Sequence, residues 1–260
     1  VAKYNAVSLR EASFDVASMH HDSTKAFVAE TMGRHAGWIA ASTAMAGTNE
    51  NEGPHIILLP EIAFREESFL AEVERIRAKV GYCVVAVSEG LQNAEGKFVA
   101  DAGTVDMFGH TQLGGAGDFI SNLIKNKLNI KVHNALPGYF QRSGRHIASK
   151  TDVEQAIAVG KEAVRLAAEG LNGQMVTIVR DSNTPYSWSV GHTDIVNIAN
   201  KEKVLPVDYI REDGFHVTEA FRTYCQPLIE GELWPDYSGG IPVYSQLSRN
   251  LVPKKLGQNT

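Results

Sequence analysis

Short apolar runs alternate along this chain with longer stretches in which apolar residues recur every three or four positions. The runs 26–29 (Ala-Phe-Val-Ala), 56–59 (Ile-Ile-Leu-Leu) and 83–87 (Cys-Val-Val-Ala-Val) are continuous and of strand length, the pattern of strands buried on both faces of a parallel sheet. Pro60 closes the second run. Phe69, Leu70, Val73, Ile76 and Val80 then fall on one helical face, leaving Glu66, Glu67, Glu74 and Arg77 for solvent. Helices are also predicted over 2–19, 36–46, 118–128, 152–169 and 217–229, and a further strand over 175–179. The helix at 152–169 has the most explicit ends: Thr151 and Glu154 read as a capping box, Val153, Ala156, Ile157, Val164 and Ala167 as its buried stripe, and Gly170 as its stop. The stretch 93–107 reads as an excursion at the carboxyl end of a strand. Such alternation predicts an α/β fold, a parallel-rich sheet with helices on both faces. Ligands bind such sheets beyond the carboxyl ends of the strands.

Composition removes several classes of function. The 260 residues allow one large α/β domain or two small ones, and 43% hydrophobic with 21% charged residues excludes disorder. A net charge of −5 and a pI near 6.0 argue against a general footprint for nucleic acid. No apolar run reaches membrane-spanning length. Two cysteines offer no disulfide framework, which favours a reducing, cytoplasmic setting. The nine histidines are scattered without ligand spacing, so no metal site is predicted.

Candidate chemistry concentrates after the strands. Met32-Gly33-Arg34 follows the run 26–29 and leads into the predicted helix 36–46. A strand feeding a helix start through such a turn offers backbone N–H groups, a helix dipole and a guanidinium fork to an anion. An ordinary solvated turn is the competing reading. Glu89 ends the strand 83–87, and a second arginine, Arg142, follows Gly138-Tyr139-Phe140-Gln141. All three segments lie past predicted strands, so one cleft lined by Arg34, Glu89 and Arg142 is expected. No Gly-x-Gly-x-x-Gly follows a strand, which weighs against a dinucleotide site.

These segments, with Phe108–Gly115 (Phe-Gly-His-Thr-Gln-Leu-Gly-Gly), resemble the phosphofructokinase family. The form Met-Gly-Arg-His-Ala-Gly-Trp at 32–38, Ser88-Glu89-Gly90 and Tyr139-Phe140-Gln141-Arg142 are most similar to its pyrophosphate-dependent branch. The resemblance implies phosphoryl transfer from pyrophosphate to fructose 6-phosphate, with Mg²⁺, in a cytoplasmic homo-oligomer of glycolysis. An ATP-dependent enzyme of the family is the alternative. So is a non-catalytic regulatory subunit that only binds sugar phosphate. Carried over residue by residue, the sugar-phosphate contacts are Met32, Gly33, Arg34, Glu89, Tyr139, Phe140, Gln141 and Arg142. The two arginines would clamp the phosphate, and Glu89 would accept from sugar hydroxyls.

The pattern departs from the family's ATP-dependent bacterial members at several places, among them Arg145, which stands where those members have a Gly-rich continuation. Lys25 stands where those enzymes send an arginine into the neighbouring subunit, which makes it a candidate cross-subunit substrate contact. His133, with Lys131 beside it, stands near the place of a second such arginine, and Tyr139 replaces a histidine. A Gly-rich N-terminal loop, a Gly-Gly-Asp motif and the Thr-Ile-Asp motif that carries the family's catalytic base are not found in the 260 residues. The expectation is therefore the C-terminal part of the enzyme, inactive by itself, with no catalytic residue or metal ligand in this chain. Residues 1–141 are expected to form the sugar-phosphate domain. Residues 142–260 are expected to cross toward a donor domain lying mostly outside this chain and to add C-terminal helices and a tail, with the cross-over 142–178 poorly supported without that domain.

Overall fold

The structure, a computed structural model, describes residues 1–105, 111–246, 248–251 and 253. Its centre is a four-stranded parallel sheet built from β1 (Ala26–Thr31), β2 (Ile56–Leu58), β3 (Cys83–Ser88) and β6 (Val132–Ala135), in the order β2-β3-β1-β6. Between β3 and β6 come the antiparallel pair β4 (Asp101–Val105) and β5 (Thr111–Leu113). β3 is buried at every position because its Val and Ala side chains meet helices on both sides.

The two faces carry separate cores. On one, α1 (Ala2–Met19) and α2 (Trp38–Ser42) pack with α7 (Glu219–Ile229) against Ala29, Ile57, Val84 and Ala86. On the other, α3 (Glu66–Val80) and α4 (Ala116–Leu128) cover Ala26, Val28, Ile56, Val85 and Val87. Phe69, Val73 and Ile76 form the buried stripe of α3, as their spacing predicts. Leu205, Ile210, Val217, Phe221 and Cys225 join the first core, so segment 205–229 packs on the first half of the chain.

Several predicted elements need correction. The helix expected over 36–46 is the five-residue α2 followed by a 3₁₀ turn at Thr43–Ala46. β6, which no apolar run marks, is a partly exposed edge strand. The predicted strand 175–179 is part of β7 (Gln174–Asn183), which pairs antiparallel with β8 (Tyr186–Asp194), outside the parallel sheet. The long helix α6 is Lys150–Ala168, and its cap is Ser149, whose Oγ accepts from Asp152 N at 3.1 Å and donates to the Leu228 carbonyl at 2.7 Å. That second bond anchors the helix start on α7, which Thr151 could not do. The stripe predicted for α6 is not buried: Ile157 and Val164 are exposed, and Gln155 and Leu166 are the buried positions. Met175, Ile178 and Val179 on β7 are exposed as well.

Candidate functional site

The site is built at the carboxyl ends of β1 and β3. The N–H of Glu89 donates to the Thr31 carbonyl at 2.9 Å, which extends the β1–β3 pairing one residue past the strands. The chain then turns at Gly33 (φ 146°) and Arg34 (φ 52°). A left-handed backbone at a non-glycine residue is uncommon and must be held by its surroundings. Here Glu89 holds it: Oε1 accepts from Gly33 N and Arg34 N, each at 3.1 Å. The turn is closed by Ala36 N donating to the Gly33 carbonyl at 3.0 Å. Gly90, whose N–H donates to Ser88 Oγ at 3.3 Å, leaves room for the Arg34 carbonyl.

This geometry corrects one part of the sequence reading. The N–H groups of Gly33 and Arg34, expected to face an anion, are taken by the Glu89 carboxylate. The helix that follows is five residues long, and the N–H of Gly37 before it donates to Glu61 Oε1 at 2.8 Å. Backbone amides and helix dipole are therefore not the anion-binding elements of this turn.

The third segment joins the other two through Gln141. After the Pro137–Gly138 bend, α5 (Phe140–Ser143) turns the Gln141 side chain inward, where it is 2% exposed. Its Oε1 accepts from Met32 N at 3.1 Å and from Asn5 Nδ2 at 3.2 Å. Tyr139 and Phe140 face outward, 70% and 72% exposed, and the Arg142 guanidinium lies over the Tyr139 ring at 4.2 Å. The stacking orients a cation on an otherwise exposed helix. A cavity of about 410 Å³ opens beside Gln141, Arg142, Gly144 and Arg145.

Met32, Gly33, Arg34, Glu89 and Gln141 are thus brought together by direct hydrogen bonds, with Tyr139, Phe140 and Arg142 flanking them. Lys25 is not: it precedes β1, at the opposite end of the strand from Arg34, and its ammonium group donates to the carbonyls of His20 and His21. His133 lies on the edge strand, paired with Phe27. Residues 108–110 of the Phe108–Gly115 stretch lie outside the described residues.

Two buried polar residues at the site escaped the sequence reading. Asn5 sits in register with Leu9, Ser13 and Val16 on the buried face of α1, a polar interruption that periodicity alone could have flagged. Glu30 occupies the core-facing register of β1 after Ala26 and Val28, yet is 5% exposed. Its Oε2 accepts from Gly115 N at 3.1 Å and Gly117 N at 2.7 Å. Burial pushes its carboxyl pKa up. The Gly117 amide works against that rise, and the nearby charges of Glu89 and Asp118 add to it.

The arrangement ties the Met32–Arg34 turn to Glu89 and to the segment that carries Arg142, and it leaves Glu89 a second carboxylate oxygen beside the one that holds the turn. Among the described residues no group of three or more His, Cys, Asp or Glu is placed to hold a metal ion. None of their helices is long and apolar enough to cross a membrane.

Comparison with known proteins gives a consistent pattern. The sequence profile of the family described as phosphofructokinase matches residues 5–167. The pyrophosphate–fructose 6-phosphate 1-phosphotransferases of Methylococcus capsulatus and Halomonas elongata are 52% and 50% identical over 256 residues, covering 98% of this chain and 61% of each relative. A crystal structure of a pyrophosphate-dependent phosphofructokinase from Nitrosospira multiformis superposes with a TM-score of 0.86 at 48% identity, over 98% of this chain and 61% of that one. The chain spans about three fifths of the length of these relatives.

Proposed function

The chain belongs to the phosphofructokinase family, and from that premise we propose that it carries the fructose 6-phosphate site of a pyrophosphate-dependent 6-phosphofructokinase. The observation that carries this reading is the Glu89 carboxylate gripping the Gly33 and Arg34 amides at 3.1 Å. It joins two segments that the sequence singled out separately. Such a grip fixes the backbone of the turn from which the Arg34 guanidinium reaches the 6-phosphate. Arg142, held over Tyr139, supplies the second cation. One oxygen of Glu89 is committed to the turn, and the other accepts from sugar hydroxyls.

Phosphoryl transfer needs positioning, charge neutralisation and a base for the attacking hydroxyl. This chain supplies the positioning of the acceptor. The base and the pyrophosphate contacts are assigned to regions outside residues 1–260, toward which part of 142–260 would cross. The exposed apolar positions Ile157, Val164 and Ile178 are consistent with a further surface packing there. Mg²⁺ belongs with the donor phosphates in this scheme. A cytoplasmic homo-oligomer, with Lys25 reaching a neighbour's site, completes the reading.

The test is a pair of assays on the full-length protein, with pyrophosphate and with ATP as donor, alongside calorimetric titration of fructose 6-phosphate. Pyrophosphate-dependent formation of fructose 1,6-bisphosphate is expected. Turnover with ATP alone would overturn the donor assignment, and binding without turnover would favour a regulatory subunit.

A further inference from the structure

A carboxylate occupies a core position of β1, behind the proposed site. Ala26, Val28 and Glu30 share the strand face that packs on α3 and α4, and the first two are fully buried. At the third position of such a stripe a branched apolar residue would bury surface at no electrostatic cost, whereas a buried carboxylate is expensive unless its oxygens are bonded. Glu30 is bonded by Gly115 N and Gly117 N at the start of α4. The surroundings are shaped for that contact. A Cβ on Gly117 would stand 3.1 Å from Glu30 Cβ, and Gly114 and Gly115 take positive φ of 147° and 93° to bring the chain in.

Glu30 lies two residues before Met32, so whatever it fixes is transmitted directly to the Met32–Arg34 turn. Glu89 grips that turn directly, and the charges of Glu30 and Glu89 lie close enough to feel each other. Glu30 anchors the strand that leads into the turn to the start of α4, and Glu89 grips the turn itself from the end of β3.

We propose that Glu30 is a positioning residue of the sugar-phosphate site: by binding the start of α4 through Gly115 and Gly117, it sets the end of β1 and hence the placement of Arg34. The inference rests on the reading of the site as the fructose 6-phosphate pocket, but its geometric part stands on its own. Glu30 touches no substrate. Its removal acts on affinity for the sugar phosphate and leaves the donor alone.

The experiment uses the full-length protein with Glu30→Ala, Glu30→Gln and Gly117→Ala. Amide hydrogen exchange is measured without substrate, and KM for fructose 6-phosphate and for pyrophosphate with it. In Glu30→Ala, exchange is expected to speed up at Gly33 and Arg34 as well as at Gly115 and Gly117. KM for fructose 6-phosphate should rise about tenfold, the loss of roughly one charge-assisted bond, with KM for pyrophosphate unchanged. Glu30→Gln keeps an acceptor oxygen and should restore most of both effects. Gly117→Ala, which leaves the carboxylate but displaces it, should reproduce part of the loss. Faster exchange confined to Gly115 and Gly117, with KM unchanged, would mean that Glu30 only caps α4 and would overturn the proposal. So would an equal rise in both KM values. Should the wild-type protein bind no fructose 6-phosphate while Glu30→Ala still loosens Gly33 and Arg34, the positioning role would stand and the functional reading would fall.

Discussion

A Cβ built on Gly90 would stand 1.5 Å from the carbonyl oxygen of Arg34, and the obstructing atoms belong to backbone. No side-chain adjustment relieves an overlap of that size. Any other residue at position 90 must push the whole Arg34 turn away from the end of β3 and away from Glu89. Gly90→Ala is therefore expected to cost on the order of 2–3 kcal/mol of stability. Fructose 6-phosphate affinity should fall by more than that loss explains, because the displaced segment is the one that carries the arginine. Urea unfolding and sugar-phosphate titration on the same variant check this. A variant with normal affinity would show that Arg34 does not need its observed backbone placement.

The proposed site gives Glu89 two tasks, holding the turn and accepting from the sugar, and substitutions separate them. Glu89→Ala leaves the Gly33 and Arg34 amides without their acceptor, at roughly 1–3 kcal/mol for each donor that water does not recover. Glu89→Gln keeps an acceptor oxygen for the turn but loses the charge, and about half the strength of a charge-assisted bond with it. The expected order of fructose 6-phosphate affinity is wild type, then Gln, then Ala, with Ala also lower in thermal midpoint. Equal midpoints for Ala and wild type would mean that the turn holds without the carboxylate.

What the sequence displayed and what it concealed divide along the range of the interactions. The strands Ile56–Leu58 and Cys83–Ser88 and the stripe of α3 were legible because burial on a regular element leaves a local period. Gly170 ends α6 with φ 81°, as a glycine past a helix should. The apolar residues of α6 mislead because Ile157 and Val164 have the spacing of a core stripe yet remain exposed. β8 carries a strand signal that the predicted elements omit: Tyr186, Trp188 and Val190, partly buried, alternate with exposed Ser187 and Ser189. At the site the residue types were readable and their pairings were not. The acceptor for Met32 N lies 109 positions away in Gln141, and that for the Gly33 amide 56 positions away in Glu89. Local pattern carries no record of such partners.

Arg142 and Tyr139 form a separable pair on the exposed side of the site. Arg142→Ala should weaken fructose 6-phosphate binding roughly ten- to a hundred-fold, the loss of charge-assisted bonds to a phosphate. Tyr139→Leu removes only the ring beneath the guanidinium. An exposed cation–π contact contributes about 0.5–1 kcal/mol, so a two- to fivefold loss is expected. In the Arg142→Ala background the same Tyr139 change should have almost no effect. Additive losses in the double variant would show that Tyr139 contacts the ligand by itself.

Stability should fall in mild acid because two histidines are buried neutral. His55 Nδ1 accepts from Val84 N at 3.0 Å, and His216 Nδ1 accepts from Val217 N at 2.9 Å. Each needs an unprotonated nitrogen at that position. Both pKa values fall from 6.5 to about 4, chiefly through burial and for His216 also through the charges of Arg222 and Arg211, while the carbonyls of Asn51 and Pro54 favour the protonated rings. Between pH 4 and 6.5 the unfolded chain therefore binds more protons than the folded one. The stabilisation is fully present above about pH 6.5 and is lost as pH falls through that window, by up to about 3 kcal/mol for each ring. Glu30, whose carboxyl is raised, has the opposite sign: its contribution is present at low pH and fades as pH rises through its folded value, which partly offsets the histidines. Urea midpoints at pH 7.5, 5.5 and 4.5 should fall steadily for the wild type. His55→Asn and His216→Asn start less stable, since neither reproduces the ring, but each should show a shallower dependence, and the double variant shallower again. A wild-type midpoint that stays level from pH 7.5 to 4.5 would mean that these rings are not held neutral in the folded protein.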